Sequence, residues 1–438
     1  MVEWAVRAFE GAGVLQPVLV VGHGGEAVAE RFGSRVRLAW QHKQLGTGHA
    51  ALMAREVLLG HQGPVLIAPG DAPGITAESL RLLATLHVET EAAVTLATVR
   101  LPDPTGYGRV VRDGAGRVLA LVEEKDADSA TKTISEVGVS VYCVDAAWAF
   151  SALPRLSNSN AQGEYYLTDL VALANAEGRV VRAHTFADAE EFAGVNDRWQ
   201  LAEVEERMRR SILRRHALAG VTIRDLATTF VGPDVRLGED VVLESGTRLL
   251  GTSSVGDEST IGPWTQVSDS EIGPGCQVAL SVLSGVCVGA GVRVGPFAHL
   301  RPGTVVGEGS RVGNFVEVKN ALLGPGVSAA HLAYLGDAEI GARTNVGAGT
   351  ITANYDGFRK HRTTVGADVF LGSNSTLIAP VEIGSRALVT AGSVITLNVP
   401  EEAGAFGRAR TEIKEGWATK WRFRAAAAVP PTEDEHAK

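Results

Sequence analysis

The sequence predicts an α/β domain joined by a long helix to a β-helix, and three observations carry that prediction. Short β-branched runs alternate with amphipathic stretches from the start to about Asn196. Of the 51 glycines in 438 residues, 27 fall between Val231 and Ile395. Over that same span an aliphatic residue recurs at every sixth position, usually followed by glycine. At roughly 100–200 residues per domain, the length allows two or three domains with ample core.

The elements follow in order. Val18-Leu-Val-Val, Val36-Arg-Leu-Ala-Trp, Val65-Leu-Ile-Ala and Val94-Thr-Leu-Ala-Thr-Val have strand composition, and helical patterns such as Glu78 to Leu86 lie between several of them. Strand–helix alternation predicts a mostly parallel sheet. Trp199 to Ala219 lacks Gly and Pro and is rich in helix formers, which predicts a connecting helix. The aliphatic series then runs Val231, Leu237, Leu243, Leu249, Val255, Ile261, Val267, slips to five at Ile272, and ends with Val365, Leu371, Leu377, Ile383, Val389 and Ile395. Such a period places each aliphatic inward, three hexads closing one triangular coil. Glycine and small residues are expected at its corners. A β-sandwich is the rival, but its turns would come every 8–12 residues. The expected boundaries are 1–198, 199–220, 221–400 and 401–438. The last segment carries Lys414, Trp417, Lys420, Trp421, Arg422, Phe423 and Arg424. It is expected as a solvated tail with its tryptophans packed on the β-helix, ending in a disordered polar run.

Composition narrows the function. Hydrophobic residues at 45% and charged residues at 21% exclude wholesale disorder. A net charge of -9 repels phosphate backbones and argues against nucleic acid as partner. No apolar run approaches the 18 or so residues of a spanning helix, and the start has no signal-peptide core, so membrane insertion is not expected. Cys143, Cys276 and Cys287 form neither a CxxC pair nor an even set, which places the chain in a reducing cytoplasm.

The repeat also locates candidate site residues. Positions 18 apart stack about 4.8 Å from each other. Arg301 and Lys319 are so related, and both occupy the slot where most hexads have glycine. Stacked cations repel, so either a phosphate-bearing ligand or a carboxylate such as Glu317 must lie between them. Ser373 and Ala391 are also 18 apart. Thr352 and Val365 are 13 apart, so seven residues around Asn354-Tyr355-Asp356-Gly357 must be extruded, which brings Ala348 into the column of Ser373 and Ala391. A column of small residues makes a groove for an extended ligand such as a pantetheine arm. His331, close to Lys319, is either structural or a base able to take a proton from an ammonium near neutral pH.

These residues sit in FAHLRPG, VGNFVEVKNALLG, AHLAYLGDAEIG and TNVGAGTITANYDG, which closely resemble the bifunctional GlmU family of left-handed β-helix acyltransferases. LGTGHA, DPTGYGRV, NAQGEYYLTD and GVNDR extend the resemblance over the first domain. It implies a Rossmann-like nucleotidyltransferase domain and a left-handed parallel β-helix. The implied activities are acetylation of glucosamine-1-phosphate and uridylation of the product to UDP-N-acetylglucosamine, a peptidoglycan precursor. By the resemblance, His331 is the general base, Arg301 and Lys319 hold the sugar phosphate, and Tyr334 and Asn345 flank the sugar. Ala348, Asn354, Tyr355, Ser373, Ala391 and Arg408 would contact acetyl-CoA. In the first domain Gln41, Gly46 and Thr47 would contact uridine, and Gly108 and Glu123 the acetylated sugar. Asp71 and Asn196 would hold Mg²⁺, whose charge assists phosphoryl transfer, Asn196 also lying against the nucleotide sugar. A homotrimer with the acyl site between subunits is implied.

The sequence departs from the family in places. The family's opening strand and loop, L-A-A-G-x-G-T-x-M, is not matched, and the first helix here is one that should follow it. The domain as given is therefore expected to lack that element at its start, either because the true start codon lies upstream of Met1 or because the uridylyl site has decayed. Where the family has E-[IV]-N-[TS]-G, this chain reads Glu136-Val-Gly-Val-Ser, and the family's Tyr-Gly-Asp becomes Pro69-Gly70-Asp71. Uridylyl transfer is therefore expected to be impaired. The rival functions are a non-catalytic trimeric scaffold that binds sugar nucleotides, and an acetyltransferase for another amino-sugar phosphate.

Overall fold

The computed structural model describes residues 1–427. The polar run expected to be disordered lies outside them. Two compact units meet at Met208/Arg209, within helix Arg198–Leu218, a 21-residue element that matches the expected connector.

The first unit has eight strands: β1 (Val18–Val21), β2 (Arg37–Trp40), β3 (Pro64–Ile67), β4 (Val94–Arg100), β5 (Arg109–Arg112), β6 (Val118–Val122), β7 (Glu136–Asp145) and β8 (Val181–Phe186). The sheet is mixed rather than mostly parallel. β1 pairs with β2, and β4 with β8, in parallel. β7 runs antiparallel to β3, β4 and β5, and β5–β6 is a hairpin. That hairpin turns at Asp113 to Gly116, where Gly116 N donates to Asp113 O and Asp113 N to Arg117 O. β4 shows why the sheet is central: Val94 and Leu96 enter one core with Val110, Tyr142 and Leu170, while Ala97 and Val99 enter the other with Leu80, Leu83 and Val137. Both faces are covered, as a strand with parallel partners requires. β1 and β2 form a sheet of their own, and no described strand pairs with the free edge of β1 or of β3.

Helix Ala77–Glu89 covers one face. The Thr76 side chain caps it by accepting from Ser79 N at 3.1 Å. Its buried His87 has Nδ1 3.0 Å from Thr95 Oγ1. Burial pushes the His87 imidazole below its usual range, against the opposing charge of Asp145. The folded state thus binds fewer protons than the unfolded chain as pH falls through the ordinary histidine value. Stability is complete above about pH 6.5 and is lost as pH falls toward the folded value. In His87→Gln that slope should flatten in denaturant midpoints measured between pH 7.5 and 5; an unchanged slope would remove His87 as its source.

The second unit is a left-handed parallel β-helix of three sheets with 10, 9 and 11 strands. Cα partners step by one coil: Val231 to Leu249, Leu237 to Val255, Leu243 to Ile261. The inward aliphatics form one continuous core from Val231 to Val399. Glycine turns many corners as expected, with positive φ at Gly251, Gly275, Gly303 and Gly326 among others, but it does not turn them all. Many corners carry non-glycine residues with positive φ, among them Asp240, Glu258, Asn320 and Asn374. A second set, the glycines after the aliphatics, permits close stacking. A Cβ on Gly307 would lie 2.5 Å from the Pro325 backbone nitrogen of the next coil. Helix Trp417–Ala427 follows the coils, and Trp417 and Trp421 are exposed rather than packed down.

Candidate active site

The hexad geometry assembles a cationic cluster on one corner of the β-helix. Arg301 and Lys319 each follow an inward residue of a paired strand, Leu300 and Val318. Glu317 takes one of the charges: Arg301 Nη1 donates to its Oε1 at 2.8 Å. Lys319 stays in a positive field. The neighbouring Lys360 lowers its pKa, with burial and Arg301 acting in the same sense and Asp337 opposing them. Asp337 is the anionic counterpart. Burial raises its carboxyl, but hydrogen bonds from Asn320 Nδ2 (2.6 Å) and Asn354 Nδ2, with the charges of Lys319 and Lys360, hold it below the usual carboxylate range.

Lys360 belongs to the extruded loop, where no hexad period marks its place. Val346 pairs with Leu371 and Leu371 with Val389, so the coil holding the loop is longer than its neighbour by seven residues. Asp356 shapes the loop by accepting from Phe358 N (2.8 Å), Arg359 N (2.7 Å) and His361 Nε2 (2.7 Å). The Arg359 amide, His361 and the Phe358 amide lower its carboxyl to about 2. Tyr355 bridges to Lys360 through the backbone, and its hydroxyl donates to Gly357 O at 2.6 Å. Asn354 is buried and committed to Asp337.

His331 ends strand Ser328–His331 on the adjoining sheet. Its Nδ1 lies 2.6 Å from Asn314 Oδ1, another partner not read from the sequence. Asn345 stands one coil above Ser328. Tyr334 is one coil above Glu317, and its hydroxyl lies where a Cβ on Gly336 would be, 2.4 Å away, so Gly336 cradles the ring. Ala348, Ser373 and Ala391 stack as expected: Asn374 N donates to Ala348 O, and Gly392 N to Ser373 O. Arg408 comes to the end of this column, its Cδ 3.9 Å from the position of a Cβ on Gly392.

The first unit gathers the other candidates at strand ends. Gln41 follows β2, and its Nε2 donates to Gly46 O (3.2 Å) and His49 Nδ1 (2.8 Å). Gly46 has φ 105°, and a Cβ there would meet Tyr165 O at 2.6 Å. Thr47 Oγ1 accepts from Leu167 N at 3.0 Å. Glu123 accepts from Thr168 Oγ1 at 3.2 Å. Burial raises its carboxyl, as do the charges of Asp169, Asp126 and Glu164, against the Thr168 hydrogen bond. Gly108 accepts a backbone hydrogen bond from Gly138 N, and Glu123 Oε2 lies 3.6 Å from its Cβ position. Val195 N donates to Asp71 O at 3.0 Å, which sets Asn196 beside Asp71 although 125 residues separate them in the chain. Both side chains are exposed hard oxygen donors, a set that suits Mg²⁺ completed by waters and phosphate oxygens.

Gly138 has a local cause. A Cβ there would lie 2.7 Å from Leu121 Cδ2, so the leucine occupies the space a side chain would need. Gly138→Asn should therefore destabilise the first unit by about 1–3 kcal/mol through overpacking. Combining it with Leu121→Ala should recover part of that loss. Thermal melts of the three proteins test this, and an unchanged midpoint in Gly138→Asn would contradict it.

Fold and sites define a transferase of two parts, a nucleotidyltransferase unit followed by a hexapeptide-repeat acyltransferase. Residues 24–196 match the Nucleotidyl transferase family, residues 286–320 the six-repeat bacterial transferase hexapeptide family, and residues 362–396 the hexapeptide repeat of succinyl-transferase. The bifunctional protein GlmU of Caldanaerobacter subterraneus subsp. tengcongensis is 46% identical over 417 residues, 95% of this chain and 91% of that protein. The Staphylococcus haemolyticus protein of the same name is 45% identical, covering 96% and 93%. The chain belongs to the bifunctional GlmU family.

Proposed function

We propose that this chain transfers the acetyl group of acetyl-CoA to the amine of glucosamine-1-phosphate, and that the second unit does this work. The observation that carries the reading is the cluster of Arg301, Lys319 and Lys360 on the rungs beside His331. Arg301, Lys319 and Lys360 bind the sugar phosphate, and Tyr334 and Asn345 orient the ring. His331 Nε2 takes a proton from the ammonium. The amine nitrogen then forms a bond to the thioester carbonyl carbon, the C–S bond breaks, and the thiolate leaves to be protonated. The column Ala348, Ser373, Ala391 receives the pantetheine arm, with Arg408 at its end and the loop of Asn354 and Tyr355 beside it.

The family's second activity, formation of UDP-N-acetylglucosamine, belongs to the first unit. Gln41, Gly46 and Thr47 would hold the uridine and Gly108 and Glu123 the sugar; Asp71 and Asn196 would hold Mg²⁺, which would supply positive charge against the phosphates. Gly138, where the family has Asn, bears on this activity alone. We expect it to be the weaker of the two.

We also infer a homotrimer. Trp264, Leu280, Phe297, Phe315 and Leu332 follow one another on successive coils of a single corner, and all have positive φ. Trp264, Phe297, Phe315 and Leu332 are exposed, and the Phe297 and Phe315 rings stack at 5.3 Å. Bulky exposed residues in a disfavoured backbone conformation, next to an open site, are what a subunit contact would cover. Three unpaired cysteines among the described residues fit a cytoplasmic setting, and none of those residues lies in a helix long and apolar enough to cross a membrane.

The test is thiol release from acetyl-CoA by the purified chain, with and without glucosamine-1-phosphate, alongside sedimentation of the protein. Release that depends on the amino sugar, from a species of three chains, is expected. A chain that binds sugar nucleotides without releasing thiol would be a scaffold instead.

A further inference from the structure

We infer that Asn314 is a positioning residue that decides which nitrogen of His331 is basic, an inference that rests on the acetyl-transfer reading above. Asn314 and His331 are register partners on neighbouring coils, and Asn314 Oδ1 stands 2.6 Å from His331 Nδ1. A carbonyl oxygen only accepts, so the ring proton sits on Nδ1 and the lone pair on Nε2. Among the described residues, Nε2 has no hydrogen-bond partner, and the ring is exposed. The free nitrogen is therefore the one available to a substrate amine.

The opposite amide orientation would point an N–H at Nδ1, place the ring proton on Nε2 and leave no base facing outward. Asn314 itself has little freedom. It closes strand Arg311–Asn314, and Phe315 after it turns the corner at φ 56°. An amide also differs from a carboxylate at this place: it orients the ring without adding a charge that would favour the imidazolium. The ring is thus held with its Nε2 lone pair outward.

Two measurements test the inference. Nitrogen chemical shifts of the His331 ring, in the full-length chain without substrates, should report the Nδ1–H form; a ring protonated on Nε2 would overturn it whether or not the chain acetylates anything. In kinetics with glucosamine-1-phosphate, Asn314→Ala should lower kcat by tenfold or more with KM little changed, a smaller loss than removal of the base itself. Asn314→Asp should restore much of kcat and move the acid limb of the pH profile upward, because a carboxylate stabilises the imidazolium. Wild-type kcat and profile in Asn314→Ala, or a change in KM alone, would contradict a positioning role. Failure of wild-type thiol release would instead sink the parent reading and leave the ring assignment standing on its own shifts.

Discussion

His331→Ala should lower kcat for acetyl transfer by about 10²–10⁴-fold, the usual worth of a positioned general base. KM for glucosamine-1-phosphate should change little, because the proposed phosphate site of Arg301, Lys319 and Lys360 lies on a neighbouring corner. The fold should survive, since the His331 side chain is exposed and its one described hydrogen bond is to Asn314. Steady-state kinetics with a thiol-trapping reagent, with circular dichroism as a control, decide the matter. A variant that keeps most of its kcat would mean that the amine loses its proton to another group.

Leu371→Ala should cost about 2–5 kcal/mol of stability, a large part of what a domain normally has. Leu371 is fully buried between Val346 and Val389 of the coils on either side. Removing its side chain leaves a cavity in a core only three side chains wide, where rigid strands limit collapse. The same strand leads to Ser373, so acetyl-CoA affinity should fall together with stability. Leu371→Met, which conserves volume, should cost less than about 1.5 kcal/mol. Chemical denaturation of the three proteins gives the comparison; equal midpoints for Leu371→Ala and wild type would contradict the packing.

The β-helix was legible because one inward aliphatic per hexad is a local code, and stacking at 18 carries it into three dimensions. That arithmetic alone placed Arg301 over Lys319 and aligned Ala348, Ser373 and Ala391. It stopped where the period stopped. Lys360 reaches Lys319 only because the extruded loop folds back, and Asp356 organises that loop through hydrogen bonds with no sequence period. The capture of Arg301 by Glu317, one of two alternatives open from spacing, depended on side-chain reach. The partnership of Asn314 with His331 could have been found by subtracting one shortened coil, 17 residues rather than 18, since the slip to shorter coils was visible elsewhere. In the first unit, Asp71 and Asn196 meet through the amide of Val195, and the antiparallel course of β7 follows from long-range pairing. Neither leaves a local signature. The glycine excess was visible from composition and the corners account for part of it, but the close approach between coils, which explains the glycines after the aliphatics, emerged only from the backbone.

The cationic cluster beside His331 should select a phosphorylated amino sugar over a free one. The most direct measurement is competition between glucosamine-1-phosphate and free glucosamine for acetyl groups from labelled acetyl-CoA, with products separated by mass. Nearly all label should appear in N-acetylglucosamine-1-phosphate, and Lys319→Ala should erode that preference. Equal labelling of the two acceptors by the unaltered chain would contradict it.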